Sequence, residues 1–329
     1  MSEDAFATKS KIEEISWDPH TDDFWVTLIS NDYDKCFVVV LSREQKPGFD
    51  ETDTIENKWL DELQGARDDD EKESNLMNNI SNSIQALSEP VMRDLAPSSP
   101  NQKLDLHTCL NPPTFTFQVA TVNGTATLIR RTKDFEDTRV PKTLDIASVK
   151  TDLPLINSTD IEVVKDLYSR RVFKVLVNGQ ERCCKIAGTF FHDSIQREFD
   201  ALQQILDADI QVPHLKGIVK GKNGDLIGII TEYIDSPERS LALVDVKSTP
   251  TSEREKWATQ IRDTVHKLHD HGVVWGDAKT DNVLIDKNGD AWIIDFGGGQ
   301  TRGWISKGLA GTQEGDLEAV KKIIDVLQV

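Results

Sequence analysis

HDHGVVWGDAKTDNVLIDKNGDAWIIDFGGG, residues 269–299, arranges two aspartates, a lysine and an asparagine around two short apolar runs. Asp277, Lys279 and Asn282 precede the run at 283–285, and Asp295 closes the run at 291–294, just ahead of Phe296 and Gly297. Turns collect polar residues of these types for conformational reasons alone. Here, however, a loop and the end of the following strand would bring three oxygen-bearing side chains to one end of a hairpin. Mg²⁺ takes oxygen ligands and usually keeps phosphates and waters in its shell. Asn282 and Asp295 can supply two such oxygens. Asp277 can orient a hydroxyl and accept its proton, and Lys279 can neutralise charge on a moving phosphoryl group.

Working upstream, residues 252–272 read as a long helix that ends at Gly272, a natural residue just past a helix C-terminus. LIGIITEYI, 226–234, reads as a buried strand. HDSIQREFDALQQIL, 192–206, has Ile195, Phe199, Leu202 and Leu206 on one stripe, the pattern of an amphipathic helix. Before it, 161–168, 171–177 and 181–187 read as three strands, the last two joined by Asn178-Gly179, a dipeptide suited to a type I′ turn. Downstream, Leu317, Val320, Ile323, Ile324 and Leu327 form the apolar stripe of a helix over 314–328, and Asp316 lies in its first turn, where an acid suits the helix dipole.

The first 150 residues read as a separate α+β module. Residues 23–41 suggest two strands, and 114–131 form the clearest hairpin, around Asn123-Gly124. The acidic stretch from about 49 to 74 reads as solvated loop or helix surface, and 74–95 as a weak helix interrupted by Pro90. Nothing in this half suggests chemistry. The chain of 329 residues carries a net charge of −18, which disfavours a nucleic-acid or anionic-membrane partner. No run approaches the roughly 18 apolar residues of a membrane span, and the polar N-terminus lacks a signal-peptide core. Four cysteines without metal-ligand spacing read as reduced thiols of a cytoplasmic protein.

GDAKTDN followed by IIDFG resembles the catalytic loop and metal-binding motif of the protein-kinase-like superfamily, Asp-x-Lys-x-x-Asn and then Asp-Phe-Gly. The resemblance covers roughly 158–329 and implies a two-lobed kinase-like fold, with a small lobe over about 158–232 and a large lobe over about 235–329. It implies ATP and Mg²⁺ as cofactors, Asp277 as catalytic base, Lys279 near the γ-phosphate, and Asn282 and Asp295 as Mg²⁺ ligands. It makes Lys185 the phosphate-pairing lysine and Glu198 its partner. Thr231 then stands at the back of the adenine pocket, with the backbone of Glu232 to Ile234 at the adenine edge. An aspartate near position 316 braces the catalytic loop in that family.

The chain also departs from the pattern. Residues 166–171, Asp-Leu-Tyr-Ser-Arg-Arg, lack the glycines of a phosphate loop. Either Ser169, Arg170 and Arg171 hold phosphates by their side chains, or they are exposed strand residues and nucleotide is held weakly. Trp275-Gly276-Asp277 stands where protein kinases have His-Arg-Asp, and Trp275 reads as core. Only a short tail follows Gly297, so the expected fold is α+β with a truncated C-lobe, and it leaves little room for a protein-substrate groove. GGGQTRGW, 297–304, resembles uncharacterised fungal kinase-like proteins, and 297–299 read either as an anion-binding loop or as a tight turn. The leading expectation is an atypical ATP- and Mg²⁺-dependent phosphotransferase whose acceptor is a small molecule or a restricted protein site. The alternatives are a pseudokinase scaffold, or a kinase fold turned to adenylyl transfer or tRNA-dependent amino-acid condensation.

Overall fold

A computed structural model describes residues 10–18, 23–30, 35–43, 54–95, 103–131, 141–145, 152–188, 192–237, 240–298 and 303–329. The chain divides into two compact units, Met1–Leu104 with Thr108–Asp137, and Asp105–His107 with Thr138–Val329.

In the first unit, β1 (Lys11–Asp18), β2 (Asp23–Ile29) and β3 (Cys36–Leu41) form an antiparallel meander. Two helices follow, α1 (Ile55–Gln64) and α2 (Asp70–Leu95). A two-residue strand, β4 (Leu104–Asp105), which belongs to the sheet of the second unit, and a single helical turn, α3 (Leu106–Leu110), come before the first unit's hairpin β5 (Thr114–Val122) and β6 (Thr125–Arg130). The sheet order is β1-β2-β3-β5-β6, with β5 parallel to β3. Every residue of CFVVVL in β3 is buried, as befits a strand inside a sheet. Asn123 and Gly124, at φ 49° and 72°, make the tight turn expected of them.

Two sequence expectations need correction here. The acidic stretch is not wholly solvated, because α1 buries Glu56, Leu60 and Leu63. Glu56 Oε2 accepts the Thr121 hydroxyl at 2.6 Å, and Thr54 caps α1 by accepting the Asn57 N–H at 3.3 Å. Pro90 does not interrupt α2, which runs unbroken to Leu95. The carbonyl that Pro90 deprives of a partner belongs to Ala86, and both residues are exposed, so water can replace the lost bond. The opposite face, with Ile80, Ile84 and Met92, stays packed in the unit's core.

The second unit begins earlier than the boundary near 158 read from sequence. Lys142 N–H donates to Ala187 O at 2.7 Å, Leu144 N–H to Leu226 O at 2.7 Å, and Leu144 joins the unit's core. Its strands are β7 (Leu155–Asn157), β8 (Glu162–Tyr168), β9 (Val172–Val177), β10 (Gln180–Ile186), β11 (Leu215–Lys220) and β12 (Leu226–Glu232), in the sheet order β4-β8-β9-β10-β12-β11-β7. Helix α4 (His192–Gln204) interrupts the strands after β10. The remainder holds α5 (Thr251–Asp270), the two-stranded β13 (Val283–Ile285) and β14 (Ala291–Ile293), and α6 (Gln313–Leu327), with Thr312 as its N-cap. One apolar cluster runs from Phe199 and Ile229 through Ile261 and Trp275 to Ile323.

The pairing of β10 with β12 fixes where Lys185 stands, and it depends on Gly228. A Cβ there would lie 2.4 Å from Lys185 O and 2.9 Å from a methyl carbon of Ile186. Gly228→Ala is therefore expected to destabilise the protein by about 1–3 kcal/mol through overpacking, read as a lower denaturation midpoint in urea. An unchanged midpoint would mean that the strands have room for the methyl group.

Candidate active site

Strand β10 and helix α4 carry the first half of the site. Lys185 Nζ lies 2.7 Å from both carboxylate oxygens of Glu198 and 3.8 Å from Asp295 Oδ1. Burial disfavours the ammonium, but the charges of Glu198 and Asp295 outweigh it and hold the Lys185 pKa above the ordinary lysine range. The side chain thus stays cationic with only 13% of its surface exposed. Asp295 itself has φ 65°, a backbone conformation that costs a non-glycine residue energy and that gathers at functional sites.

The loop between α5 and β13 carries the second half. Lys279 Nζ stands 2.6 Å from Asp277 Oδ2, and Asn282 Nδ2 donates to Asp277 O at 2.9 Å and Oδ2 at 3.1 Å. The two halves are pinned together through the backbone. Ile294 N–H donates to Asn282 O at 3.0 Å, and the Trp275 indole N–H donates to Ile294 O at 2.9 Å. Trp275 is fully buried, so the expected core role is the observed one.

Asp316 braces the loop between α5 and β13 from the first turn of α6. Its buried carboxylate accepts the N–H groups of Trp275 at 2.7 Å and Gly276 at 2.8 Å, and lies 2.9 Å from His269 Nε2. Gly276 sits at φ 83°, in the left-handed region that favours glycine.

A cavity of about 270 Å³ adjoins these groups. Leu167, Val172 and Cys183 line it from the sheet, Leu284 and Ile294 from the β13–β14 side, and Thr231, Glu232, Tyr233 and Ile234 where β12 ends. Lys185 and Glu198 stand in its wall. An apolar slot with a few polar groups along its edges suits a flat heterocycle. Burial raises the Cys183 thiol to about 11, so the thiol is neutral at physiological pH and serves as an apolar wall.

Lys185, Glu198, Thr231, Glu232 and Ile234 thus meet at one cavity. Asp277, Lys279 and Asn282 cluster beside one another, and Asp295 closes on Lys185. Ser169, Arg170 and Arg171 are not among the residues that line the cavity; Lys165, Asp166 and Leu167 are. The reason is a tight turn between β8 and β9, in which Ser169 and Arg170 both take positive φ, 41° and 54°. Asp166 Oδ1 accepts the Arg170 N–H at 3.0 Å, so a carboxylate occupies a backbone donor that a glycine loop would offer to phosphate. Sequence reading also missed Arg197. Its neighbour Glu198 carried the signal on that helix, and nothing in the spacing ties Arg197 to a segment about one hundred residues away.

Asn282 and Asp295 form a donor set that suits Mg²⁺, which is commonly held by one or two protein oxygens together with substrate phosphates. Among the described residues no group of three or more His, Cys, Asp or Glu side chains could hold a metal ion without such help.

Residues 169–306 match the family model of the protein kinase domain. This part of the chain is therefore protein-kinase-like. A probable serine/threonine-protein kinase of Dictyostelium discoideum is 30% identical over 106 residues, covering 32% of this chain and 16% of that protein. A serine/threonine-protein kinase-like protein of Arabidopsis thaliana is 38% identical over 73 residues, 21% of each chain. CBL-interacting protein kinase 1 of Oryza sativa subsp. japonica is 30% identical over 113 residues, 34% of this chain and 24% of that protein. The likeness thus spans less than a quarter of each of these relatives. No described helix is long and apolar enough to cross a membrane.

Replacing Asp316 with Ala removes the shared acceptor of two buried N–H groups. The expected loss is about 3–5 kcal/mol of stability, the range for breaking a buried charged interaction, with a correspondingly lower melting temperature. A variant as stable as the parent would show that the loop carries its own support.

Proposed function

We propose that the second unit is an ATP- and Mg²⁺-dependent phosphotransferase of atypical kinase type. The observation that carries this reading is the chain of charge Glu198–Lys185–Asp295, tied through the Ile294–Asn282 backbone bond to the Asp277–Lys279–Asn282 cluster. The names and family model of its relatives support the same class of chemistry. The adenine ring would fill the apolar slot, with Thr231 behind it and the backbone of Glu232 to Ile234 along its edge. Lys185 would pair with the inner phosphates.

Asn282 and Asp295 would hold Mg²⁺, which supplies charge neutralisation for the phosphates. Asp277 orients the acceptor hydroxyl and takes its proton as that oxygen bonds to the terminal phosphorus and the bridging oxygen leaves with ADP. Lys279 offsets charge on the phosphoryl group in transit. The segment from Gly298 to α6 is short, which supports a small-molecule or restricted protein acceptor over a broad peptide platform.

One observation favours a second reading, a kinase-like scaffold that holds nucleotide weakly. Asp166 both lines the cavity and occupies the Arg170 N–H, which places negative charge where phosphates would approach.

Melting temperature with and without Mg²⁺-ATP separates the two. A ligand at 100 times its Kd stabilises by roughly 2.7 kcal/mol, a shift of several degrees for a protein of this size. A Mg²⁺-dependent shift that Asp295→Asn abolishes is the expected result. No shift at millimolar ATP would favour the scaffold. Asp277→Asn should keep the shift yet lose turnover of ATP by about 100-fold or more, in line with loss of a general base. Turnover equal to the parent would remove Asp277 from the mechanism.

A further inference from the structure

Helix α4 carries two adjacent charged residues that reach different elements. Glu198 turns to Lys185 on β10, while Arg197 turns to the loop that follows Asp295. The Arg197 Nε–H donates to Gly297 O, and Nη2 donates to Gly298 O at 3.1 Å. A planar guanidinium fork suits two successive carbonyls, and its charge strengthens both bonds. The contact is close on all sides. A Cβ on Gly297 would lie 1.9 Å from Ser194 Oγ, one on Gly298 would lie 3.1 Å from Arg197 Nε, and one on Gly276 would lie 3.3 Å from Gly298 Cα. The loop held in this way has φ 65° at Asp295, a conformation that costs a non-glycine residue energy and persists where the surroundings hold it.

We infer that Arg197 is a positioning residue that couples α4 to the metal-bearing loop. With Arg197 docked, one helix sets both the lysine partner Glu198 and the orientation of Asp295. The Lys185–Glu198 pair and the loop then form and separate together. The inference rests on the reading of Asp295 as a Mg²⁺ ligand, but the clamp itself can be read without nucleotide.

The test uses the 329-residue chain with Arg197→Met, which keeps the apolar stem and removes the donors, and Arg197→Lys, which keeps the charge and loses the fork. The first readout is amide hydrogen exchange over 291–298 without ligand. Exchange about five- to ten-fold faster in both variants is expected for the loss of charged hydrogen bonds, with exchange over β12 unchanged. The second readout is the Mg²⁺ concentration that half-saturates the ATP-induced thermal shift, beside the shift induced by adenosine alone. The expected result is a several-fold higher Mg²⁺ requirement with an unaltered adenosine shift.

Exchange and Mg²⁺ dependence equal to the parent would overturn the clamp. Equal loss of protection across the whole unit would overturn it too, since Arg197 would then be general packing. Faster loop exchange in a protein whose parent binds neither adenosine nor ATP would keep the clamp and sink the nucleotide reading instead. Should Arg197→Met fail to fold, Arg197→Lys carries both readouts.

Discussion

A single carboxylate, that of Asp316, holds the loop between α5 and β13 in shape. It has no exposed surface, and it gathers two consecutive backbone N–H groups and one imidazole nitrogen. A buried carboxylate with fewer partners would cost several kcal/mol, so α6 can dock only where the loop presents those donors. The loop in turn can turn sharply at Gly276 only where the carboxylate receives it. The positions of Asp277, Lys279 and Asn282 follow from this mutual dependence. The backbone bond from Ile294 to Asn282 then carries the constraint to Asp295.

Charge is managed differently on the other side of the site. Lys185 lies between two carboxylates, one nearly buried and one 42% exposed. The buried partner, Glu198, fixes the lysine, while the exposed one, Asp295, keeps its surface toward solvent. The same lysine can therefore serve a fixed structural pair and a more open site. The neutral thiol of Cys183 and the aliphatic side chains of Val172, Leu284 and Ile294 keep the neighbouring slot apolar.

Local signals were legible in the sequence, and distant ones were not. Both Asn-Gly turns, the stripe of α4 and the residues that cluster around Asp277 could be read because each depends on neighbours a few positions away. Asp316 was legible as a candidate because an acid in the first turn suits the helix dipole and because the family resemblance places a bracing aspartate near it. Short edge strands such as β7 carry too few residues for a period to show. The clamp by Arg197 and the entry of 141–145 into the second unit depend on pairings tens of residues apart, which no window can contain. Pro90 misled for a related reason. Its cost depends on which face of the helix meets water, and packing decides that face. The turn at Ser169 and Arg170 misled because the residue types suggested anion binding, whereas the backbone conformation and Asp166 turned the loop's donor inward.

The contact of Gly276 with Gly298 also bears on how this chain can change over generations. The family pattern places an arginine where Gly276 stands. Here a side chain at 276 would need a left-handed backbone and would press on the backbone of 298. An arginine at 276 would therefore require the backbone at 298, in the loop that Arg197 contacts, to shift as well. Each position therefore guards the other.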